Sequence, residues 1–197
     1  MSESQPVKPR MFVKVPLDRM GAVIGEGGRV KKELMERTGT MITVDTENGV
    51  VIVEAESPKT SPINVMKAAE IIKAIAYGFP PEKAFKLLDE DYVLLVIDLK
   101  SRVGDSPNHL TRVKGRIIGE GGRARRTIEQ MTGTDIVVGG SHVAIIGEYE
   151  RAMVAKEAIE MLIDGRMHST VYRHIDRLMR EVRRREQLRL WAKEDFY

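Results

Sequence analysis

Two glycine-rich segments of the chain have the residue types that bind anions. The segment Ile-Gly-Glu-Gly-Gly-Arg occupies residues 24–29 and occurs again, 94 residues later, at 118–123. Because glycine has no Cβ, a turn of the form Gly-x-x-Gly lets backbone N–H groups come close to a ligand. A helix that begins at such a turn adds unpaired N–H groups and a partial positive charge. These segments therefore predict the binding of phosphate groups.

The repeat extends beyond the glycines. Thr-Gly-Thr stands at residues 38–40 and again at 132–134, which is the same offset. A single Gly-x-x-Gly is weak evidence, because a chain with 17 glycines in 197 residues contains about one or two by chance. Two motifs in one register instead indicate that a unit of about 94 residues has been duplicated.

Basic residues are more numerous around the second segment than around the first. The candidate contacts at the first are Gly25, Glu26, Gly27, Gly28, Arg29, Lys31 and Lys32. Those at the second are Arg112, Lys114, Arg116, Ile118, Gly119, Glu120, Gly121, Gly122, Arg123, Arg125 and Arg126. We expect Ile136 and Val138, on the strand that follows, to line a groove for bases. Clustered Lys and Arg attract a polyanion, so we expect the second segment to be the main site.

The hydrophobic periodicity places both segments in the same succession of elements. It predicts a strand, two helices, two strands and a helix, in that order, in each half of the chain. The first half has strands at 12–15, 41–46 and 50–54 and helices at 17–24, 28–37 and 61–77. The second half has strands at 92–99, 135–138 and 142–146. It also has three helices, of which one begins at Ser106, one ends at Met131 and one spans 148–163. The predicted fold class is α+β, and each glycine segment joins two helices.

A Pro-rich break and a basic tail set the expected domain limits. We expect a flexible N-terminus at 1–10, domains at 11–80 and 92–165, a linker at 81–91 and a basic C-terminal helix at 166–197. In that helix apolar residues recur at helical spacing, namely Val171, Ile175, Leu178 and Val182. They predict packing against the second domain. The alternative is a partner-binding end formed by Leu188, Leu190, Trp191 and Phe196.

The composition is that of a globular chain. Hydrophobic residues make up 42% and charged residues 31%, the net charge is +3, and there is no cysteine. Disulfides and thiolate metal sites are excluded, and no apolar run approaches the roughly 18 residues of a membrane span. We expect a cytoplasmic protein with no metal or other cofactor and no contact with a membrane.

The alternatives to phosphate binding fit the sequence less well. A plain tight turn would not need matching neighbours in both copies. Gly119, Gly121 and Ala124 match the dinucleotide pattern Gly-x-Gly-x-x-Ala, but a basic helix precedes them where that site needs a buried strand. The four histidines have no spacing that suits a metal or a general base. The acidic run at 89–91 is more simply an exposed turn than a magnesium site.

The order of elements, with Ile-Gly-x-x-Gly between two helices, resembles the KH domain of the first structural type, twice in tandem. The other KH topology places most of its sheet before the loop, and only 24 residues precede Gly25. The resemblance implies that each domain clamps about four single-stranded nucleotides. Two positions depart from the usual pattern. Glu26 and Glu120 put an acid inside the loop, and Lys31 and Arg125 stand where many KH domains have an apolar residue.

From Met11 to Trp191 the chain resembles archaeal members of the Partner-of-Nob (Dim-two-type) family of small-subunit ribosome assembly factors. The resemblance rests on the glycine segments, their spacing, the proline-containing linker and the basic C-terminal helix. It implies binding near the 3′ end of small-subunit ribosomal RNA or its precursor. It also implies contact with the Nob endonuclease and an encounter with the alpha subunit of translation initiation factor two.

Two functions of different class remain open at this point. The first is a single-stranded RNA-binding assembly factor that assists nuclease processing of ribosomal RNA. The second is a KH-fold adaptor for proteins, with the nuclease or the initiation factor as partner and only minor RNA contact. The sequence has no grouping of residues that suits a metal site or a general base, so we expect no enzymatic activity, and we expect a monomer.

Overall fold

The computed structural model describes residues 9–194, and the side chains up to Trp191. The chain divides into two compact units between Glu90 and Asp91. Phe196 and the greater part of the N-terminal segment 1–10 lie outside the described residues. No helix in the described part of the chain is long and apolar enough to cross a membrane.

The first unit has the predicted order of elements. They are β1 (Arg10–Lys14), α1 (Leu17–Ile24), α2 (Arg29–Thr38), β2 (Thr40–Asp45), β3 (Val50–Ala55), α3 (Pro62–Tyr77) and α4 (Pro81–Ala84). A 3₁₀ turn, Glu26–Gly28, joins α1 to α2. The three strands form an antiparallel sheet in the order β1-β3-β2.

The second unit repeats this plan with two additions. It contains β4 (Tyr92–Asp98), α5 (Leu99–Val103), α6 (Pro107–Ile118), α7 (Arg123–Thr132), β5 (Asp135–Val138), β6 (His142–Glu148), α8 (Tyr149–Ile163) and α9 (His168–Glu194). The 3₁₀ turn Glu120–Gly122 joins α6 to α7, and the sheet order is β4-β6-β5. The short helix α5, which the sequence does not predict, is capped by Asp98, whose side chain accepts a bond from the Lys100 N–H at 3.0 Å. The βααββα order in both units confirms the predicted fold class.

The segment 81–91, which the sequence predicts to be a linker, is mostly helical and packs on the first unit. Helix α4 is followed by a 3₁₀ turn, Phe85–Leu88. Phe79, Ala84 and Leu87 are buried, because the Gly-Phe-Pro-Pro break after α3 turns the chain back over that helix. Lys67 on α3 donates to the Leu88 carbonyl at 2.9 Å. The first unit therefore extends to the end of this segment.

Helix α9 is part of the core of the second unit. Val171, Ile175, Met179 and Val182 are each no more than 1% exposed, and they belong to the same apolar cluster as α6, α7 and α8. Burying four such side chains contributes about 1.5–3 kcal/mol each. This confirms the expected packing of the C-terminal helix, although Met179 is fully buried where the sequence pattern selects Leu178. Leu188, Leu190 and Trp191 remain exposed.

The repeated Thr-Gly-Thr motif ends the second helix of each unit. Thr132 donates to the Ile128 carbonyl at 2.7 Å, and its Oγ1 lies 2.8 Å from that of Thr134. Gly133 between them adopts φ +71°, and its N–H closes the helix on Glu129. Thr38 and Thr40 make the same contacts in the first unit. The buried hydroxyl pair thus fixes the path from each helix into the strand that follows.

We expect Thr132→Val to lower the free energy of unfolding by about 1–3 kcal/mol, because the buried Thr134 hydroxyl loses its partner. Chemical denaturation of the full chain measures this change. The double variant T132V/T134V removes both hydroxyls and is expected to cost no more than the single one. Thr111→Val, at an exposed position of α6, serves as the control with no expected loss. If T132V and T134V lowered the free energy of unfolding equally and their effects added in the double variant, the shared bond would be contradicted.

Candidate nucleic-acid interface

The two glycine loops, residues 25–28 and 119–122, have the same backbone geometry. Gly25 and Gly119 adopt φ/ψ of 77°/169° and 72°/174°, which only glycine adopts readily. A Cβ on Gly119 would lie 2.6 Å from the Cβ of Ala124, and one on Gly25 would lie 2.5 Å from Cγ2 of Val30. The loop therefore approaches the helix that follows it too closely for any side chain. This close approach, rather than flexibility, is the reason for glycine at the first loop position.

The second glycine of each motif faces open space. Gly27 and Gly121 adopt φ +59° and +56° in the left-handed region, and no atom lies within 4 Å of an added Cβ. Asn and Asp tolerate this conformation better than other side chains do. A ligand can thus approach the loop from this side, and a polar substitution there is compatible with the fold.

The hydrogen bonds inside each loop leave two amides available. In the second loop the N–H of Gly122 donates to the Gly119 carbonyl at 3.1 Å, and that of Arg123 donates to the Glu120 carbonyl. Within the described chain the amides of Glu120 and Gly121 have no such bond. The first loop has the same arrangement, because Gly28 and Arg29 make the corresponding bonds. Adjacent amide donors at the start of a helix suit an anion such as phosphate.

The exposed cations at the second loop are Arg112, Arg123 and Arg126. Arg126 donates to the Gly121 carbonyl at 2.6 Å, so its guanidinium is held beside the loop. Arg112 lies on α6 and contacts Nε2 of His109 at 3.1 Å. Lys114, also on α6, is half-buried. Arg123 and Arg126 lie in the first turn of α7, next to the loop, and the binding role of all four residues stays a prediction.

Two of the predicted contacts have a different place in the structure, which corrects the expectation for them. Arg116 donates from Nε to the Leu162 carbonyl at 3.1 Å and from its terminal nitrogen to the Arg166 carbonyl at 2.6 Å. Its guanidinium caps the end of α8 and is thereby engaged within the protein. Ile136 is only 2% exposed because its side chain points into the core. It offers no surface to a base.

Three further candidates of the second unit are half-buried, namely Ile118, Arg125 and Val138. Ile118 directly precedes the loop, and Val138 pairs with Val143 in the sheet. Arg125 lies 3.8 Å from a carboxylate oxygen of Glu129, whose other oxygen accepts a bond from the Ile136 N–H at 2.8 Å. The charge of Arg125 is thus partly neutralised. The acidic Glu120 is exposed, as is Glu26 in the first loop.

At the first loop a lysine of α2 is paired with an acid that has no acidic counterpart in the second unit. A concavity of about 460 Å³ beside it is lined by Gly28, Lys31, Lys32, Met35, Glu36 and Glu56. Lys32 forms an ion pair with Glu36 at 3.8 Å. The second unit has Arg126 and the uncharged Gln130 at the equivalent positions. Arg29 is exposed and Lys31 half-buried. The local charge therefore favours an anion at the second loop.

His168 is a residue of this region that the sequence pattern does not select. Its Nε2 donates to the Arg116 carbonyl at 2.8 Å and so joins the start of α9 to the last turn of α6, just before the second loop. No spacing in the sequence could have indicated this contact, because the two residues are 52 positions apart.

Among the described residues no group of three or more His, Cys, Asp or Glu side chains could hold a metal ion.

Comparison with protein families identifies both units. Residues 93–180 match the model described as the eukaryotic type KH-domain (KH-domain type I), in the variant of the second domain of PNO1. Residues 10–74 match the model of the KH domain. The first match includes the start of α9, in agreement with the packing of that helix in the second unit.

Curated relatives occur in archaea and eukaryotes. The chain is 41% identical over 183 residues to a KH domain-containing protein of Methanocaldococcus jannaschii, a match that covers 93% of this chain and 79% of the relative. It is 29% identical over 173 residues to the pre-rRNA-processing protein pno1 of Schizosaccharomyces pombe, with 85% and 70% covered.

Solved structures agree with this result. A protein from Aeropyrum pernix is 68% identical, with a TM-score of 0.92, and the match covers 95% of this chain and all of that one. Dim2p of Pyrococcus horikoshii, solved in a complex with a/eIF2alpha and rRNA, is 43% identical with a TM-score of 0.82. That match covers 89% of this chain and 96% of Dim2p.

The loop geometry predicts that the glycines of one motif tolerate substitution very differently. We expect Gly119→Ala to lower the free energy of unfolding by at least about 1–3 kcal/mol, because its φ/ψ is strained for alanine and its Cβ meets Ala124. We expect Gly121→Asn to cost less than about 1 kcal/mol, because asparagine adopts the left-handed region. Chemical denaturation of both variants measures the difference. Similar losses for the two would show that the contact with Ala124 does not restrict the loop.

Proposed function

The chain belongs to the pno1 and Dim2p family of KH-domain proteins, and we propose on that basis that it binds single-stranded RNA through its glycine loops. The names of the relatives indicate ribosomal RNA, and the family resemblance implies a strand near the 3′ end of small-subunit ribosomal RNA or its precursor. In this proposal the protein assists the nuclease processing of that end and does not itself catalyse a reaction.

The pair of unbonded amides in each loop is the observation that supports the proposal most directly. Glu120 and Gly121 supply two adjacent donors, next to the open side of the loop. A phosphate bound there would accept both bonds and would lie at the positive end of α7. KH domains clamp about four backbone nucleotides in this manner. The backbone, rather than a particular base, is thus the part of the RNA that the loop holds.

The charges around the two loops support unequal contributions of the two units to RNA affinity. Arg123 and Arg126 are exposed beside the second loop, and Arg112 lies on the helix that leads to it. At the first loop Arg29, Lys31 and Lys32 are accompanied by Glu36 and Glu56. We therefore propose that the second loop provides most of the affinity. The acid inside each loop, Glu26 or Glu120, weakens the attraction for phosphate, and the neighbouring cations offset it.

The proposed partners follow from the relatives. Dim2p of Pyrococcus horikoshii forms a complex with a/eIF2alpha and rRNA, so we propose the alpha subunit of translation initiation factor two as a protein partner. We also propose the Nob endonuclease, which the family resemblance implies. In our proposal the protein acts as a monomer in the cytoplasm and uses no metal or other cofactor.

A binding titration with single-stranded RNA tests the proposed function. The probe is a strand from the 3′ end of small-subunit ribosomal RNA, and a scrambled strand of equal length is its reference. We expect the protein to prefer the native strand and Gly121→Asp to weaken binding about tenfold or more, because it places a carboxylate beside the phosphate. Fluorescence anisotropy measures the affinities. Gly121→Asn is the matched control, since it has the same shape without the charge.

Three results would contradict the proposal. They are equal binding of both strands with no effect of Gly121→Asp, equal losses for Gly121→Asp and Gly121→Asn, and affinity that does not fall with added salt. A clamp that neutralises about four phosphates predicts a slope of log K against log salt near −3. Failure of all RNA binding would leave the protein adaptor as the remaining function.

The two loops are expected to contribute unequally to RNA affinity. Gly27→Asp, the equivalent change in the first loop, should weaken binding less than Gly121→Asp does, because Glu36 and Glu56 already reduce the attraction of that site for phosphate. The same anisotropy titration measures both variants. Gly27→Asn provides the uncharged control. A larger loss for Gly27→Asp would reverse the proposed rank.

A further inference from the structure

Four arginines form a row along the outer face of α9. Arg173, Arg177, Arg180 and Arg184 are all exposed and follow one another at steps of four, three and four residues. At 100° per residue this spacing keeps them on one side of the helix, and the row is about 16 Å long. We call these four residues the arginine row. It lies on the side of α9 opposite the buried Val171, Ile175 and Val182.

Three other arginines of this region are paired with acids where α9 meets α8, namely Arg151, Arg185 and Arg189. Glu150 accepts from Arg189 at 2.8 Å and lies 3.6 Å from Arg185. Arg151 forms two bonds of 2.9 Å with Glu186, and this bonding raises the pKa of Arg151 above its ordinary value. These pairs hold the two helices together. The positive charges on this side of α9 are therefore neutralised within the protein.

The arginine row, in contrast, keeps most of its charge. Arg173 and Arg184 have no acidic partner among the described residues. Arg177 donates to Nδ1 of His174 at 3.1 Å, which cancels no charge. Arg180 is paired with Asp176, and Glu181 lies at the edge of the row. An exposed line of guanidinium groups with few acidic partners is complementary to the phosphates of a nucleic acid.

The start of α9 is joined to the helix that leads into the second glycine loop. The bond from His168 to the Arg116 carbonyl fixes the first turn of α9 to the last turn of α6, which leads into that loop. Arg116 strengthens the junction through its bonds to the Leu162 and Arg166 carbonyls. Both surfaces therefore belong to one unit and are joined by hydrogen bonds. RNA that continues beyond the loop has a second basic surface available within the same unit.

We propose that the arginine row binds the phosphate backbone of a base-paired RNA segment next to the single strand at the second loop; this inference rests on the proposed function. The stretch from Arg173 to Arg184 contains no Phe, Tyr or Trp. A surface without such stacking platforms is poorly suited to single strands, whose bases stack on aromatic side chains. Duplex RNA is instead contacted through its backbone and shape. Helix α9 contains no glycine or proline, so it presents the four cations to the duplex in a fixed row.

Four RNA probes test the inference on the full chain. They are the single strand used above, the same strand continued into a short hairpin, the strand with an unpaired extension of equal length, and the hairpin alone. We expect the hairpin extension to raise the affinity about tenfold over the single strand. The double variant R173Q/R184Q should lose most of that gain and should bind the unextended strand as the wild type does. Its salt slope on the extended probe should decrease by about 2.

Two control variants test whether the position and the charge matter. R173K/R184K keeps the charge and is expected to retain most of the gain. Arg185→Gln removes one charge from the paired side of α9 and should leave the gain unchanged. Equal losses in R173Q/R184Q and Arg185→Gln would overturn the proposal, as would an unpaired extension that gains as much as the hairpin. An absence of any gain in the wild type would also overturn it and would favour an acidic protein as the occupant.

The hairpin alone separates this inference from the proposed function. We expect R173Q/R184Q to weaken its binding and Gly121→Asp to leave it unchanged. If the single strand failed to bind the wild type, the role of the glycine loop would be contradicted while the hairpin result still tested the row. Both arginines are exposed, so thermal unfolding of the variant is expected to match that of the wild type and to exclude a loss through misfolding.

Discussion

The close approach between the first loop glycine and the next helix is the constraint on which the site depends. Gly25 lies against Val30 and Gly119 against Ala124, at distances that leave no room for a Cβ. This contact sets the direction in which each second helix leaves the loop. It also places the amides of the loop at the start of that helix, where their dipoles add. The same backbone occurs twice although the surrounding charges differ, so geometry and electrostatics are separate properties of the loop.

Most of the fold could be predicted because its signals are local. Identical glycine segments, the Thr-Gly-Thr repeats and the periodicity of the helices each lie within a few residues, and the predicted limits of α1 and β5 are those observed. Helix α5 could not be predicted, because five residues between a strand and a loop are too short for a periodic pattern. The packing of segment 81–91 could not be predicted either, because its burial depends on contacts with α3 and not on its own composition.

The candidate site could be predicted only in part. The positions of the backbone in the loops follow from the spacing of the glycines, whereas the direction of a charged side chain depends on groups that are distant in the sequence. Arg116 has the charge and the position of a surface cation, yet its guanidinium binds carbonyls that follow it by 46 and 50 residues. Ile136 alternates with its neighbours along a short strand, and only the packed helices decide which face is buried. The rank of the two loops, in contrast, follows from the cations in the sequence, and the pairing of Lys32 with Glu36 adds to it.

The docking of α9 has a consequence for the order in which the two units fold during synthesis. The buried residues of the first unit end at Leu87, so its core is complete as soon as the chain up to the first strand of the second unit has emerged. The core of the second unit also needs Val182. A nascent chain that ends at Gly165 would expose the apolar surface that α9 covers. Domains generally fold as units from the N-terminus during translation, and here the unit with the greater positive charge around its glycine loop is the later one to mature.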